Sequence, residues 1–411
     1  MLRSFSVSNF MSYREKTELS LELSQRDKTQ GWFYKRSKKP LSTAAAIFGA
    51  NGSGKTVFLK ALSFASWFAN HSMQSLPPKE IIPISPWFGN DEPSEFIFDY
   101  ENNGVHFVYE LSLNRHRVIS ESLRQWDNLF GRKNEFLFSR IWDNERNLYK
   151  IDLGRKQFKP IRTELVRENA SLLSMAAQQG VEINSLCPPD VVGNVKSQGR
   201  IGSDFFLSPA AEFFLNPDNS FNRQRLEQIM PKLDLGLTAL DIQRLEVEDK
   251  EELRATVRMG NGPEMTFTPG TSLRIIGHHQ DKNGNEYHLS FKDESAGTRA
   301  VFVYMSWLLP LLEKGGVAVM DELEAELHPQ MMDKLLEMFN NSNTNPKGAQ
   351  IIFTTHAENK MNLLGKSHVY IVEKENCESS LWRLDEMRGV RSDENYRAKY
   401  LAGIYGGVPQ F

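Results

Sequence analysis

The residues best suited to chemistry fall in four short stretches. The first is Gly49-Ala50-Asn51-Gly52-Ser53-Gly54-Lys55-Thr56. It fits G-x-x-x-x-G-K-[ST], whose glycines let backbone N–H groups approach phosphate oxygens. Lys55 would reach the β- and γ-phosphates of ATP, and the Thr56 hydroxyl would hold Mg²⁺. The plainer reading is a glycine turn with Lys55 as a solvated charge. The flanks argue against it. "STAAAIF" before the loop reads as one buried strand, and "VFLKALSFASWFA" after it reads as a helix. Strand, loop and helix are the context this motif requires.

The second stretch is "GVAVMDELEAELHP". A short apolar strand ends at Asp321, which would face the Mg²⁺ shell. Glu322 would sit beyond the γ-phosphate and activate water for in-line attack. An acidic turn at a strand end is the alternative. The third is "IIFTTH", an apolar strand that brings His356 to the same sheet edge. A histidine there can hydrogen-bond a phosphate or the attacking water, or can be a strand-end residue with no further role. The fourth is "DESAGTRA", which opens a long helix. Ser295 and Gly297 stand where free N–H groups and the helix dipole favour an anion. Ser295 can equally be a plain N-cap, and the two roles are compatible.

These residues need elements to position them. Residues 1–23 alternate in two runs and predict a β-hairpin; residues 75–95 are proline-rich and predict a loop. From 96 to about 152, alternating runs separated by Asn-Gly and Asp-Asn turns predict an antiparallel lobe. Residues 160–235 change to helical spacing, which predicts an inserted helical piece, serving either as a partner contact or as a passive cover for the sheet. Strands return over 237–293, with a hairpin at "DKNGNE". Helix and buried strands then alternate from 296 to about 375. Strand–helix alternation at both ends predicts a parallel sheet built from distant segments. Three parts follow: 1–150 with the phosphate loop and β lobe, 151–235 as helical insertion, and 236–411 with the remaining motifs.

Composition bounds the function. The chain has 411 residues, 40% hydrophobic and 25% charged, with formal net charge −3. That balance is ordinary for a globular protein and does not favour nucleic acid as the main ligand. "KRSKK" is the one basic cluster. Cys187 and Cys377 are isolated, which excludes a cysteine metal site and suits a reducing cytosol. The N-terminal residues lack the apolar run of a signal peptide. "AVFVYMSWLLPLL" is shorter than the roughly 18 residues a membrane span needs and contains a proline. A cytoplasmic protein with no membrane partner is the expectation.

The order of these motifs resembles the heads of ABC-type ATPases, including the RecF-like, SMC-like and OLD-like branches. "ESAGT" stands at the place of their signature motif and "EAELHP" at that of their D-loop. The signature departs from the transporter type. "SNFMSYRE", "AAAIFGANGSGKT", "SAGTR", "DELEAELHP", "FTTH" and "YLAGIYGGVPQF" look like the AAA-family ATPases of bacterial anti-phage systems of the Rlo/abortive-infection, Septu or PARIS type. The resemblance covers both ends of the chain and residues 60–235 poorly. No Q-loop glutamine stands out, Gln74 and Gln125 being weak matches.

The resemblance implies an α/β, ABC-ATPase-like P-loop NTPase head with an antiparallel β lobe and an inserted helical subdomain. It implies ATP and Mg²⁺ as ligands and a homodimer in which the signature helix of one head covers the nucleotide of another. It implies an ATPase switch that controls a separate toxic effector, a nuclease, on a nucleic-acid or phage-protein trigger. A RecF/SMC-like DNA-repair or chromosome-maintenance ATPase is the alternative, and it usually brings coiled coils or a basic surface. A self-contained nuclease would need more chain after His356 than is present.

Overall fold

The computed structural model describes residues 1–24, 31–34, 39–126, 134–154, 158–195, 201–233, 236–246, 255–258, 264–267 and 271–408. Four residues of the basic cluster, 35–38, lie outside the described residues. The chain divides into two compact units. The first comprises 1–195, 315–321 and 348–411; the second comprises 196–314 and 322–347.

The first unit holds a six-stranded sheet in the order Val191–Gly193, Val317–Met320, Gln350–Thr354, Ala44–Phe48, Val369–Glu375, Glu378–Arg383. The first five strands are parallel and the last is antiparallel. Ala44–Phe48, Val317–Met320 and Gln350–Thr354 are buried at every residue, as expected of parallel strands covered on both faces. Phe353 pairs with Met320 on one side and with Ala46 on the other. Asp321, Thr354 and Gly49 therefore emerge along one sheet edge.

A seven-stranded antiparallel sheet completes this unit. Its order is Leu148–Asp152, Asn134–Asp143, Val118–Trp126, Val105–Leu113, Ser94–Asn102, Leu2–Ser8, Thr17–Ser20. The Asn103-Gly104 turn has φ of 50° and 79°, the two positive values that a tight hairpin of this hand requires. Helix Lys55–Ser75 packs on the sheet through Phe58 against Phe5 (ring centroids 5.7 Å apart) and Phe64 against Phe96 (5.5 Å). One apolar cluster runs through the helix and both sheets. The phosphate-loop helix is thereby fixed to the β lobe by aromatic burial.

The second unit is built on helix Ala296–Lys314, with Phe214 and Phe206 of helix Asp204–Leu215 packed on its Phe302 and Trp307. Helices Ser220–Ile229 and Pro329–Asn340 belong to it, as do the antiparallel strands Ala239–Glu246, Thr271–Gln280 and Glu286–Ser290. The stretch 151–235 is shared between the units: helix Leu172–Gln178 lies in the first, and 204–229 in the second. No helix among the described residues is long and apolar enough to cross a membrane.

Candidate nucleotide site

The loop between strand Ala44–Phe48 and helix Lys55–Ser75 turns on three glycines. Gly49, Gly52 and Gly54 have φ of 156°, 76° and 113°. At Gly49 space is limiting as well, because a Cβ would lie 2.3 Å from the Val372 carbonyl oxygen. At Gly54 a Cβ would lie 2.4 Å from Ser379 Oγ. The outside of the loop is held by neighbours. Ser379 Oγ donates to the Ser53 carbonyl at 2.6 Å, and the buried Tyr13 hydroxyl donates to that of Gly54 at 3.1 Å. Burial pushes the Tyr13 phenol far above its usual range, so it stays a neutral donor.

The inside of the loop suits an anion. The helix start carries no side-chain cap and no acidic residue in its first turn. Its open N–H groups and positive dipole end face the loop. Ser53 Oγ is buried with no hydrogen-bond partner, a donor the protein alone leaves unused. Lys55 is 6% exposed and donates to the carbonyls of Gly49 (2.7 Å) and Ala50 (3.0 Å). It thus holds the loop folded around its own ammonium. Asn51 and Gly52 form the exposed tip.

Thr56 meets Asp321 across the sheet. The Thr56 hydroxyl lies 3.0 and 2.9 Å from the two Asp321 carboxylate oxygens, although 265 residues separate them. Thr354 donates to Asp321 Oδ1 at 2.7 Å. Asn194 fixes the Asp321 backbone, accepting from its N–H at 2.7 Å and donating to its carbonyl at 2.8 Å. This cluster is made of hard oxygen donors, the set that Mg²⁺ prefers. The donors present fit that ion, and the glycine loop fits a phosphate chain.

The chain belongs to an AAA-domain family. The family model described as "AAA domain, putative AbiEii toxin, Type IV TA system" matches residues 44–359, more than half of the chain. No curated protein matches it. The matched span of this AAA domain begins at the loop strand and ends just beyond His356.

Other residues singled out in the sequence take the following places. Glu322 follows Asp321 with φ of 48°, a left-handed backbone uncommon outside glycine, and its side chain is exposed. His356 is exposed two residues beyond Thr354. Ser295 and Gly297 lie in the second unit. Ser295 Oγ accepts from the Thr298 N–H at 3.0 Å, so the serine is an N-cap. A Cβ on Gly297 would lie 3.1 Å from the Glu326 carbonyl oxygen. Ser295, Gly297, Glu326, His328 and Lys334 line one cleft of that unit. Gln74 is in the last turn of helix Lys55–Ser75, about 28 Å along the helix from Lys55, too far to serve the loop. Sequence reasoning missed Asn194, Thr354, Tyr13 and Ser379. Only Thr354 carried a signal, as the first threonine of the "FTTH" strand end.

Proposed function

We propose that this AAA-family protein binds and hydrolyses ATP, dimerises through its nucleotide sites, and thereby controls a separate toxic effector of the nuclease class in a bacterial anti-phage system. The observation that carries the reading is the Thr56 hydroxyl within 3.0 Å of both Asp321 carboxylate oxygens beside an uncapped glycine loop. The two residues are 265 apart in the chain, and a plain structural turn has no need of their meeting.

The roles follow from donor chemistry. Backbone N–H groups of Gly49–Thr56 and the Lys55 ammonium would hold the phosphates. Thr56 and Asp321 would hold Mg²⁺, which when bound neutralises charge on the β- and γ-phosphate oxygens. Glu322 would accept the proton of the attacking water, and His356 would orient that water or the γ-phosphate. The products are ADP and phosphate. Ser295 and Gly297 would close the γ-phosphate side from a second copy of the chain. A cytoplasmic setting and a nucleic-acid or phage-protein trigger belong to the same proposal. So do the finer kinship with RecF/SMC/OLD-type heads and the use of part of 151–235 as the effector contact.

The test is Mg²⁺-dependent phosphate release with nucleotide binding measured on the same samples. Lys55→Ala loses both binding and turnover. Glu322→Gln keeps binding and slows turnover by about 10²-fold or more, the loss typical of removing a general base. Equal turnover in wild type and Glu322→Gln would overturn the role of Glu322.

A further inference from the structure

Glu294 is the residue immediately before Ser295. Its side chain is 6% exposed, and its Oε1 lies 2.7 Å from His279 Nε2. The other ring nitrogen, Nδ1, lies 2.8 Å from the Gly236 carbonyl oxygen. A carbonyl oxygen only accepts, so Nδ1 carries a proton there. Nε2 then meets a carboxyl oxygen. Either an imidazolium donates to a carboxylate, or a carboxylic acid donates to Nε2 of a neutral ring. The two forms have the same composition, with one proton shared across the 2.7 Å contact.

The surroundings are shaped for this carboxyl. A Cβ on Gly277 would lie 2.3 Å from Glu294 Oε1 and 2.7 Å from Leu237 Cδ2, so the glycine leaves the space the carboxyl fills. Tyr287 is the register partner of His279 on the neighbouring strand. His278 and His288 pair with one another on the opposite strand face, with ring centroids 4.5 Å apart. The carboxyl therefore cannot shift without losing His279 or striking the strand. Its backbone leads directly into the capped turn in which Ser295 Oγ also bonds Thr298 Oγ1 at 2.8 Å.

We infer that His279 and Glu294, joined by a 2.7 Å hydrogen bond over Gly277, are positioning residues that set the start of helix Ala296–Lys314 and so the aim of Ser295. This rests on the proposal that Ser295 closes a nucleotide site shared between two chains. On this inference the pair acts through the serine, although Glu294 also lines the cleft that Ser295 and Gly297 line.

The experiment uses the full chain and four variants: His279→Ala, Glu294→Ala, Glu294→Gln and Ser295→Arg. ATP affinity, ATP-driven association by sedimentation, kcat and KM are measured for each. His279→Ala and Glu294→Ala leave affinity and KM within about threefold of wild type and lower kcat and association about tenfold or more, the scale of an unsatisfied buried polar group. Glu294→Gln stays within about threefold in kcat, because its amide N–H donates to Nε2 while Nδ1 keeps Gly236. Should His279→Ala fail to fold, the comparison of Glu294→Gln with Glu294→Ala decides. Wild-type kcat in His279→Ala, or equal losses in Glu294→Gln and Glu294→Ala, overturns the inference while Ser295→Arg remains inactive. Wild-type turnover in Ser295→Arg overturns the shared-site reading itself, and the inference with it.

Discussion

Asp321 shows what single residues add to a motif. The sequence marks it as an acidic residue at a strand end. The structure adds Thr56 and Thr354 on its carboxylate and Asn194 on its backbone. Asn194 was illegible, and Thr354 showed only as a threonine at a strand end, because neither type has a spacing rule that ties it to a distant aspartate. Thr354→Val removes a bond of 2.7 Å inside the first unit. We expect it to raise the Mg²⁺ concentration needed for half-maximal turnover severalfold with little change in ATP binding, read from a metal titration of phosphate release. The cysteines give an independent check. Cys377 is exposed, whereas Cys187 is half-buried and its thiol is pushed up to about 12 by burial and, secondarily, by Asp190. A thiol reagent at neutral pH should label Cys377 quickly and Cys187 only after denaturant is added, because the thiolate is the reacting form. Equal labelling rates in the native protein would contradict the packing around Cys187.

At the scale of elements, legibility followed burial pattern. Ala44–Phe48, Val317–Met320 and Gln350–Thr354 read as strands because each is a short unbroken apolar run. The Asn103-Gly104 and 281–286 turns were readable from their residue types. Val191–Gly193 was not, since three residues carry no period. The stretch "TELVRENASLLSMAAQQ" has helical spacing, yet its helix begins only at Leu172. The reason is tertiary. Residues 166–171, which turn at 168–169, are held out of the helix by a buried pair, Glu121 and Arg140, whose side chains are fully buried and 2.7 Å apart. Arg140 also donates to the carbonyls of Ala170 (2.5 Å) and Arg167 (3.2 Å), and Glu121 accepts from the Leu172 N–H. Arg140→Met strands a buried carboxylate and should cost about 3–5 kcal/mol in urea unfolding, and replacing both partners by apolar residues should cost less than either single change. A single-variant loss below about 1 kcal/mol would contradict the role given to the pair.

The whole molecule takes its logic from chain order. Segments far apart in sequence, 44–56, 315–321 and 348–356, converge at one edge of the parallel sheet, while Ser295 and Gly297 fall in the second compact unit. The motif order did not announce this division: the sequence placed Ser295, Gly297, Asp321 and His356 in one part, 236–411, and the one run of helical spacing over 151–235 is split between two units. Sharing of the site between chains is the claim on which the switch depends. Sedimentation velocity with turnover measured on the same sample tests it most directly, using wild type, Glu322→Gln and Ser295→Arg with Mg²⁺ and either ATP or ADP. The account predicts a dimer of Glu322→Gln with ATP and monomers with ADP. It also predicts that Ser295→Arg stays monomeric and inactive while still binding ATP. Full hydrolysis by a species that sediments as a monomer under assay conditions would contradict it.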